Sequence, residues 1–419
     1  MKLDTKAMRH LTAEDWRVLA AVENATKNHE IVPTSIIEKT AHLRGGASGV
    51  RKSISNLAKN GLIGRVKEAK YDGYRLTYGG LDYLALHTYS SRKEVYSVGS
   101  RIGVGKESDI TMVADNDGVQ KVLKIHRLGR ISFRTVKTNR DYLKKNKQSG
   151  GWMYLSRLSA MKEYAFMQAL REEGFPVPEP IAQSRHTVLM SFVDSYPLRQ
   201  IAHVPDPASL YADLISLILR LAKHGLIHGD FNEFNILIKE EKAEETDELP
   251  DGADKTEASD AVTLVPILID FPQMISMEHQ NAEMYFDRDV NCVKRFFERK
   301  FHFINTKPGP FYKDAKKTVG KDDAKRLDAS VEASGFTKKM LKDLEAAIRE
   351  QAGSKDDDGL DGEETSDYED SDSQSDREGE EAVDEDGVNE AIPAIEDSKR
   401  GAPDNTAESL KDLHIKDTS

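Results

Sequence analysis

The sequence predicts an α+β protein in three parts: a small N-terminal domain of three helices and a two-stranded wing, a compact central domain of two lobes, and an acidic tail. Near the N-terminus, apolar residues recur at helical spacing and are followed by a hairpin signal at Asp72-Gly73. Apolar strands alternate with Gly-rich and polar motifs in the middle of the chain. Residues 351–419 have too few apolar residues to offset the entropy of ordering, so we expect them to be disordered.

Residues 1–90 are predicted to form a winged-helix domain. Thr12 is the expected N-cap of the first helix, a second short helix follows Pro33, and a third ends near Gly61. Two strands, residues 62–66 and 74–78, would then form the wing. The cations that could contact nucleic-acid phosphates are Arg51, Lys52, Lys59 and Arg65. A protein partner, or an ordinary solvated face, is the alternative for these side chains.

The motif His228-Gly229-Asp230 carries the central functional prediction. Asn235 follows it on the same apolar segment, and Asp270 ends a second apolar strand. In kinase-like folds the first Asp acts on the attacking hydroxyl, while the Asn and the second Asp hold the Mg²⁺ that bridges the phosphates of ATP. We therefore expect Asp230 to be catalytic and Asn235 and Asp270 to bind metal. A solvated turn between strands would not explain this spacing of three oxygen ligands.

The preceding lobe is predicted to supply contacts with the phosphates of ATP. Residues 100–110 form a strand, a Gly-rich turn and a strand, and Gly103, Gly105 and Lys106 lie at that turn. Lys124 lies within an apolar strand, where a buried ammonium needs an anionic partner. Glu163, in a helix expected over residues 159–172, is the candidate partner, although an exposed helix would also explain that glutamate.

The apolar strand at residues 188–193 resembles the hinge between two lobes, at which the backbone of Met190 and Phe192 would contact adenine. Core packing alone would also explain these side chains. We therefore divide a protein-kinase-like domain into an N-lobe at 91–190 and a C-lobe at 191–325, with 326–350 as a candidate C-terminal helix.

The charge is divided unevenly along the chain. The net charge of −12 includes −18 on residues 351–419 and −7 on residues 239–260, where we expect an exposed acidic loop. The rest of the chain therefore carries about +13, and much of it lies in the N-terminal domain and in a basic flexible loop at 127–150, which begins with Arg127. Such a body should attract polyanions, and the loop is either a flap close to ATP and RNA or simply solvated.

Several function classes are excluded or disfavoured. One cysteine, Cys292, excludes an intramolecular disulfide framework, and the absence of a long apolar run disfavours a membrane span. Only 30 to 40 residues after Asp270 appear foldable before a Lys-rich stretch, which predicts a truncated C-lobe without a peptide-binding region. ATP turnover as a conformational switch is therefore favoured over efficient phosphorylation of other proteins. The tripeptide at residues 287–289 is expected to brace the catalytic loop through Arg288 paired with a buried carboxylate, although a surface ion pair would explain it equally well.

These motifs resemble the RIO family of atypical protein kinases, in its winged-helix-bearing branch. The resemblance covers roughly residues 2–303 and depends on residues 105–110, on His228-Gly229-Asp230, and on residues 269–273 in place of Asp-Phe-Gly. It implies an atypical serine/threonine kinase and ATPase that uses ATP and Mg²⁺ in late maturation of the small (40S) ribosomal subunit. It also implies that Ser108 helps to hold phosphate, and that Asp270 can become transiently phosphorylated. The implied partners are the pre-40S particle, rRNA and assembly factors, with a cytoplasmic location and shuttling through the nucleus.

Two other function classes remain as alternatives. Small-molecule phosphotransferases of the aminoglycoside and choline kinase type share the His-Gly-Asp motif, but they lack a basic winged helix and carry a large helical region after the second Asp. A non-catalytic RNA-binding assembly scaffold would not need Lys124, Asp230, Asn235 and Asp270 together.

Overall fold

The computed structural model describes residues 3–66, 73–128, 149–242, 262–321, 324–333 and 390–391, together with residues 340, 344–346 and 348. None of the helices in these ranges is both long enough and apolar enough to cross a bilayer. Apart from residues 390–391, the predicted acidic tail at 351–419 lies outside the described residues.

The N-terminal domain is a winged helix, as predicted. Its elements are α1 (Ala13–Ala25), β1 (Val32–Pro33), α2 (Thr34–Ala41), α3 (Gly46–Lys59), β2 (Ile63–Val66) and β3 (Gly73–Leu76). Thr12 caps α1: its side chain accepts from Asp15 N at 3.2 Å, and the Asp15 carboxylate accepts from Thr12 N at 3.0 Å. The three strands form a sheet in the order β1-β3-β2.

The wing is shorter than predicted and leads into a fourth helix that the sequence analysis missed. The strand β3 ends at Leu76, and α4 spans Tyr78–Ser91, capped by the Thr77 side chain, which accepts from Gly80 N at 3.1 Å. A Cβ at Gly80 would lie 2.2 Å from Leu62 O, so glycine permits close packing of α4. Two adjacent glycines, which usually disfavour helices, concealed α4 in the sequence.

The N-lobe is an antiparallel sheet with one long helix. The strands are β4 (Ser97–Val104), β5 (Ser108–Ala114), β6 (Gln120–His126), β7 (Pro180–Ser184) and β8 (Thr187–Ser191), in the order β4-β5-β6-β8-β7. The helix α5 spans Ser149–Glu172 and packs on β7 and β8. It begins ten residues before the predicted start. Buried Leu155 and Leu158 extend its apolar face towards the N-terminus, whereas two glycines in its first turn resemble a loop in the sequence.

The C-lobe is built mainly from helices. In chain order it contains β9 (Tyr196–Pro197), α6 (Pro207–Lys223), β10 (Leu226–Ile227), β11 (Ile236–Lys242), β12 (Val262–Leu268), β13 (Ile275–Ser276), α7 (Ala282–Phe301), α8 (Tyr312–Lys316) and α9 (Leu327–Ala333). Because β11 and β12 pair up to Lys242 and Val262, residues 239–242 of the predicted acidic loop are strand, and 243–261 lie outside the described residues. The candidate helix at 326–350 begins with α9. A short strand, β14 (Glu390–Ala391), pairs with β4.

The winged helix and the N-lobe share one apolar core. Tyr89 on α4 is buried in the same cluster as Leu123 on β6 and Leu189 on β8. Arg127 also belongs to this interface, so its assignment to a basic flexible loop was wrong: its side chain is buried and pairs with Asp82 of α4. Asp82 lies 45 residues earlier in the chain, so the local charge pattern gave no indication of this pair. Residues 129–148 of that loop lie outside the described residues.

Candidate active site

Lys124 lies at the centre of the site and joins the two lobes. Its Nζ donates to Glu163 Oε1 at 2.7 Å and to Asp270 Oδ1 at 2.8 Å. The strand β6, the helix α5 and the segment after β12 supply these three side chains. The Lys124–Glu163 pair predicted from sequence is therefore present. His126, which the sequence analysis did not select, places Nε2 2.7 Å from Glu163 Oε2.

The charges in this cluster stabilise one another. Burial disfavours ionisation of Glu163, but Lys124 and His126 together outweigh burial and lower the pKa of Glu163 to about 2. Burial likewise disfavours the Lys124 ammonium, and the charges of Asp270 and Glu163 raise its pKa above the ordinary value. Both groups therefore stay ionised across physiological pH, and Lys124 keeps a fixed positive charge beside Asp270.

The catalytic loop holds Asp230 by two amide side chains. Asn235 Nδ2 donates to Asp230 Oδ2 at 2.8 Å and to the Asp230 carbonyl at 2.9 Å, while Asn232 Nδ2 donates to Asp230 Oδ1 at 2.8 Å. Asp270 follows β12 in a left-handed conformation with φ of +71°. The hydrogen bond from Ile269 N to Asn235 O, at 3.1 Å, ties the two segments together. Asp230, Asn235 and Asp270 thus lie in one site, as their spacing predicted.

A buried carboxylate on α7 braces this loop. Asp289 accepts from Gly229 N at 2.8 Å and from Phe231 N at 3.1 Å, so the N–H groups of the residues on both sides of Asp230 are held. Arg288 also contacts the loop, as expected, but it donates to the Gly229 carbonyl and not to a buried carboxylate. The spacing placed the brace in the correct tripeptide but did not show which side chain faces inward.

Negative charge exceeds positive charge around the expected metal site. Burial and the charge of Asp270 raise the pKa of Asp230, and the same two causes raise the pKa of Glu107 to about 7. Glu107 lies on the loop between β4 and β5, and the sequence analysis assigned it no role. A divalent cation would relieve this repulsion. Asn235 and Asp270 have the oxygen donors that Mg²⁺ prefers, with phosphate oxygens and water completing the coordination.

The Gly-rich turn lies between β4 and β5, beside Lys124. Gly105 N donates to Ser108 O at 2.8 Å and closes the turn, which leaves Lys106 exposed at its tip. Gly103 lies on β4 opposite Ile110. Phosphate contacts of Gly103, Gly105, Lys106 and Ser108 stay a prediction.

The predicted adenine contacts occupy the junction of the lobes. The Met190 side chain is buried in the core, whereas that of Phe192 is 39% exposed. The neighbouring peptide group is already used, because Ser191 N donates to Glu179 O at 2.9 Å. Contact between adenine and the backbone of Met190 or Phe192 stays a prediction.

Three of the four predicted nucleic-acid contacts share a surface groove on the winged helix. Arg51, Lys59 and Arg65 line an open groove of about 520 Å³ beside Tyr74. Arg51 also lies 3.5 Å from Glu38, and Lys52 is exposed on the same helix. Positive charge suits nucleic-acid phosphates and an aromatic side chain can stack on a base, but contact of this groove with nucleic acid stays a prediction.

Comparison with known proteins identifies relatives over most of the chain. The family model described as the RIO domain matches residues 109–246 and 263–308, and the model of the Rio2 N-terminal region matches residues 8–92. The chain is 49% identical over 345 residues to serine/threonine-protein kinase rio2 of Schizosaccharomyces pombe, covering 82% of this chain and 92% of the relative. It is 48% identical over 364 residues to RIO2 of Saccharomyces cerevisiae, covering 83% and 81%.

Solved structures give the same result. The crystal structure of the Rio2 kinase–ADP/Mg²⁺–phosphoaspartate complex from Chaetomium thermophilum is 76% identical in sequence, with a TM-score of 0.77, and covers 84% of this chain and 100% of that one. A second crystal structure of the Chaetomium thermophilum Rio2 kinase is 74% identical, with a TM-score of 0.75.

Proposed function

The chain belongs to the RIO family of kinases, in its Rio2 branch, and we propose that it binds Mg-ATP and uses its turnover as a switch in late maturation of the 40S ribosomal subunit. The observation that carries the nucleotide-binding part of this proposal is the contact of Lys124 with both Glu163 and Asp270, and the ribosomal part rests on membership of the family. This arrangement sets a fixed cation beside a metal-binding carboxylate, as phosphoryl transfer requires.

The side chains divide into two roles. Lys124, with Mg²⁺ on Asn235 and Asp270, binds the phosphates in the ground state. Asp230, held by two amides, orients the attacking oxygen or accepts its proton. Interactions that form only in the transition state raise the rate without tightening substrate binding. Asp230 therefore contributes to turnover more than to affinity.

Asp270 is also the proposed acceptor of the γ-phosphoryl group. One carboxylate oxygen forms the new O–P bond as the bond to the β-phosphate oxygen breaks, and ADP leaves with that electron pair. Water then cleaves the acyl phosphate and releases phosphate. The half-exposed Asp270 side chain and the phosphoaspartate in the similar Chaetomium thermophilum structure support this assignment.

The acyl phosphate is tested with γ-labelled ATP. We expect label on the protein that hydroxylamine and alkali release, and that Asp270→Asn abolishes. Asp287→Asn, which changes an exposed acid on α7, should label normally. Label that resists neutral hydroxylamine and lies on Ser or Thr would contradict the proposal and indicate conventional autophosphorylation.

The winged-helix groove is the proposed contact with rRNA in the pre-40S particle. Its cations should release counterions on binding, with a slope of roughly −0.7 to −0.9 in log affinity against log salt for each phosphate neutralised. We therefore expect substitution of Arg51, Lys52 and Lys59 by Ala to weaken RNA binding and to flatten the slope by up to about two to three units. ATP hydrolysis by the free protein should stay nearly unchanged.

The matched control removes three exposed lysines of the C-lobe: Lys300, Lys313 and Lys317. Equal flattening in both triple variants would mean that net charge, and not the groove, governs binding. An unchanged salt slope in the winged-helix variant would mean that this face does not bind RNA and would favour a protein partner. In the cell we expect the protein in the cytoplasm with pre-40S particles and assembly factors, and in transit through the nucleus.

The two alternatives are less well supported. Small-molecule phosphotransferases and idle scaffolds would not predict relatives over 82% of this chain that are named as serine/threonine-protein kinases. The contacts among Lys124, Glu163 and Asp270 also disfavour a scaffold without catalysis.

A further inference from the structure

A buried charged cluster joins the winged helix to the N-lobe. Arg127 NH1 and NH2 donate to the two carboxylate oxygens of Asp82, at 2.9 and 2.6 Å. His186 Nε2 lies 2.8 Å from Asp82 Oδ1. The exposed fractions of Arg127, Asp82 and His186 are 3%, 3% and 0%. None of these side chains has a role in the nucleotide chemistry described above.

The cluster continues to the phosphate-binding turn. Arg127 N donates to Glu107 O at 2.6 Å, and Glu107 lies between Lys106 and Ser108. The Arg127 side chain also reaches Asp109, with Nε 3.4 Å from Oδ2. Arg127 therefore contacts α4 through its guanidinium and the phosphate-binding turn through its peptide N–H.

Burial makes this connection stiff. A desolvated guanidinium is costly unless a carboxylate pairs with it, and a bidentate pair fixes both the position and the orientation of the fork. Burial opposes the charge of Arg127, but Asp82 and Asp109 together outweigh burial and raise the pKa of Arg127. Displacing Asp82 would leave the buried cation with only its longer contact to Asp109, so Arg127 follows α4. Its peptide N–H would then move relative to Glu107.

We propose that Asp82 and Arg127 are positioning residues for the phosphate-binding turn, and that the winged-helix domain thereby sets the affinity of the nucleotide site. Both side chains are buried at the interface with the winged helix, so neither would touch the nucleotide. They hold the backbone of Glu107, whose neighbours on the turn would contact the phosphates. The inference rests on the proposed binding of ATP, and it is independent of the ribosomal role.

The same interface supplies a matched control. Arg185 Nε and NH2 donate to the two carboxylate oxygens of Glu23 on α1, at 2.7 and 2.8 Å, and NH1 donates to Leu84 O at 3.0 Å. This second bidentate pair also fastens the winged helix to the N-lobe. Within the described part of the chain, the Arg185 side chain contacts α1, α4 and Ser184, and not the phosphate-binding turn.

The experiment compares Asp82→Asn with Glu23→Gln in the full-length protein. We expect both variants to lower the melting temperature, since each loses one bidentate pair. Asp82→Asn should raise the Kd and the KM for Mg-ATP by about tenfold, within the range of coupling between contacting groups. Glu23→Gln should leave both within about twofold of wild type. Partial unfolding lowers the active fraction and kcat, but it does not change the KM of the molecules that stay folded.

Equal KM changes in the two variants, or unchanged ATP affinity in Asp82→Asn, would overturn the inference. If Asp82→Asn does not fold, Arg127→Lys provides the same comparison, because it keeps the charge and loses the fork. Wild-type affinity is measured first. Failure of the wild type to bind Mg-ATP would contradict the proposed function, whereas normal wild-type binding with no effect of Asp82→Asn would contradict only this inference.

Discussion

Asp289 should have a large effect on turnover although it lies behind the catalytic loop. Its carboxylate is 1% exposed and accepts from Gly229 N and Phe231 N, on the two sides of Asp230. Asp289→Ala leaves two buried N–H groups unpaired, at about 1.5–3 kcal/mol for each hydrogen bond to a charged acceptor. Removing a carboxylate whose pKa is raised by burial offsets part of this cost. We expect a net loss of about 2–4 kcal/mol in the free energy of unfolding.

Turnover should fall further than stability suggests. A shift of Asp230 by about 1 Å can reduce the rate on the order of 100-fold, so we expect that loss in kcat. Mg-ATP affinity should change little, because Lys124 and Asp270 are untouched. Urea unfolding, phosphate release and isothermal titration measure the three quantities. Asp287→Ala, an exposed acid two residues earlier, is the control. An unchanged kcat in Asp289→Ala, or an equal loss in the control, would refute the bracing role.

Two further substitutions test buried groups. Burial, opposed by the charge of Glu345, lowers the pKa of Lys162 to about 8 from 10.5. Between pH 8 and pH 10.5 the unfolded chain therefore binds more protons than the folded protein, and the stability of the wild type rises with pH. Lys162→Met should therefore add roughly 3 kcal/mol at pH 7 and much less near pH 10.5 in urea unfolding, and equal gains would contradict the assignment. Gly229→Ala should reduce both turnover and melting temperature, because φ is +79° and the new Cβ would lie 2.7 Å from Gln273 O. Gly61→Ala has a similar φ of +66° without a close neighbour, so an equal loss there would contradict the close-approach argument.

The fold was predictable wherever local patterns carried it. Helical spacing and the capping residue Thr12 located α1, and apolar strands located β6, β11 and β12. Local patterns failed where distant residues decided the outcome. The helix α4 contains Gly79 and Gly80 and depends on close packing against Leu62, which no local propensity could indicate.

The residues of the site likewise separate into those that local patterns indicated and those whose role depends on distant contacts. Lys124, Asp230, Asn235 and Asp270 carry recognisable spacing, and the structure brings them together. The sequence alone does not distinguish Asp289 from its charged neighbours, because only the structure shows which face of α7 is buried. Arg127 lies in a basic run whose composition predicts solvation, while its partner Asp82 belongs to the helix that the sequence analysis missed.

The most direct test of the division between binding and turnover is Asp230→Ala, with Mg-ATP titration and phosphate release measured on one preparation. Lys124, Asn235 and Asp270 stay in place, so we expect affinity within several-fold of wild type. Hydrolysis should fall by about 100-fold or more, the scale of removing a general base. Equal losses of affinity and turnover would contradict the separation of roles.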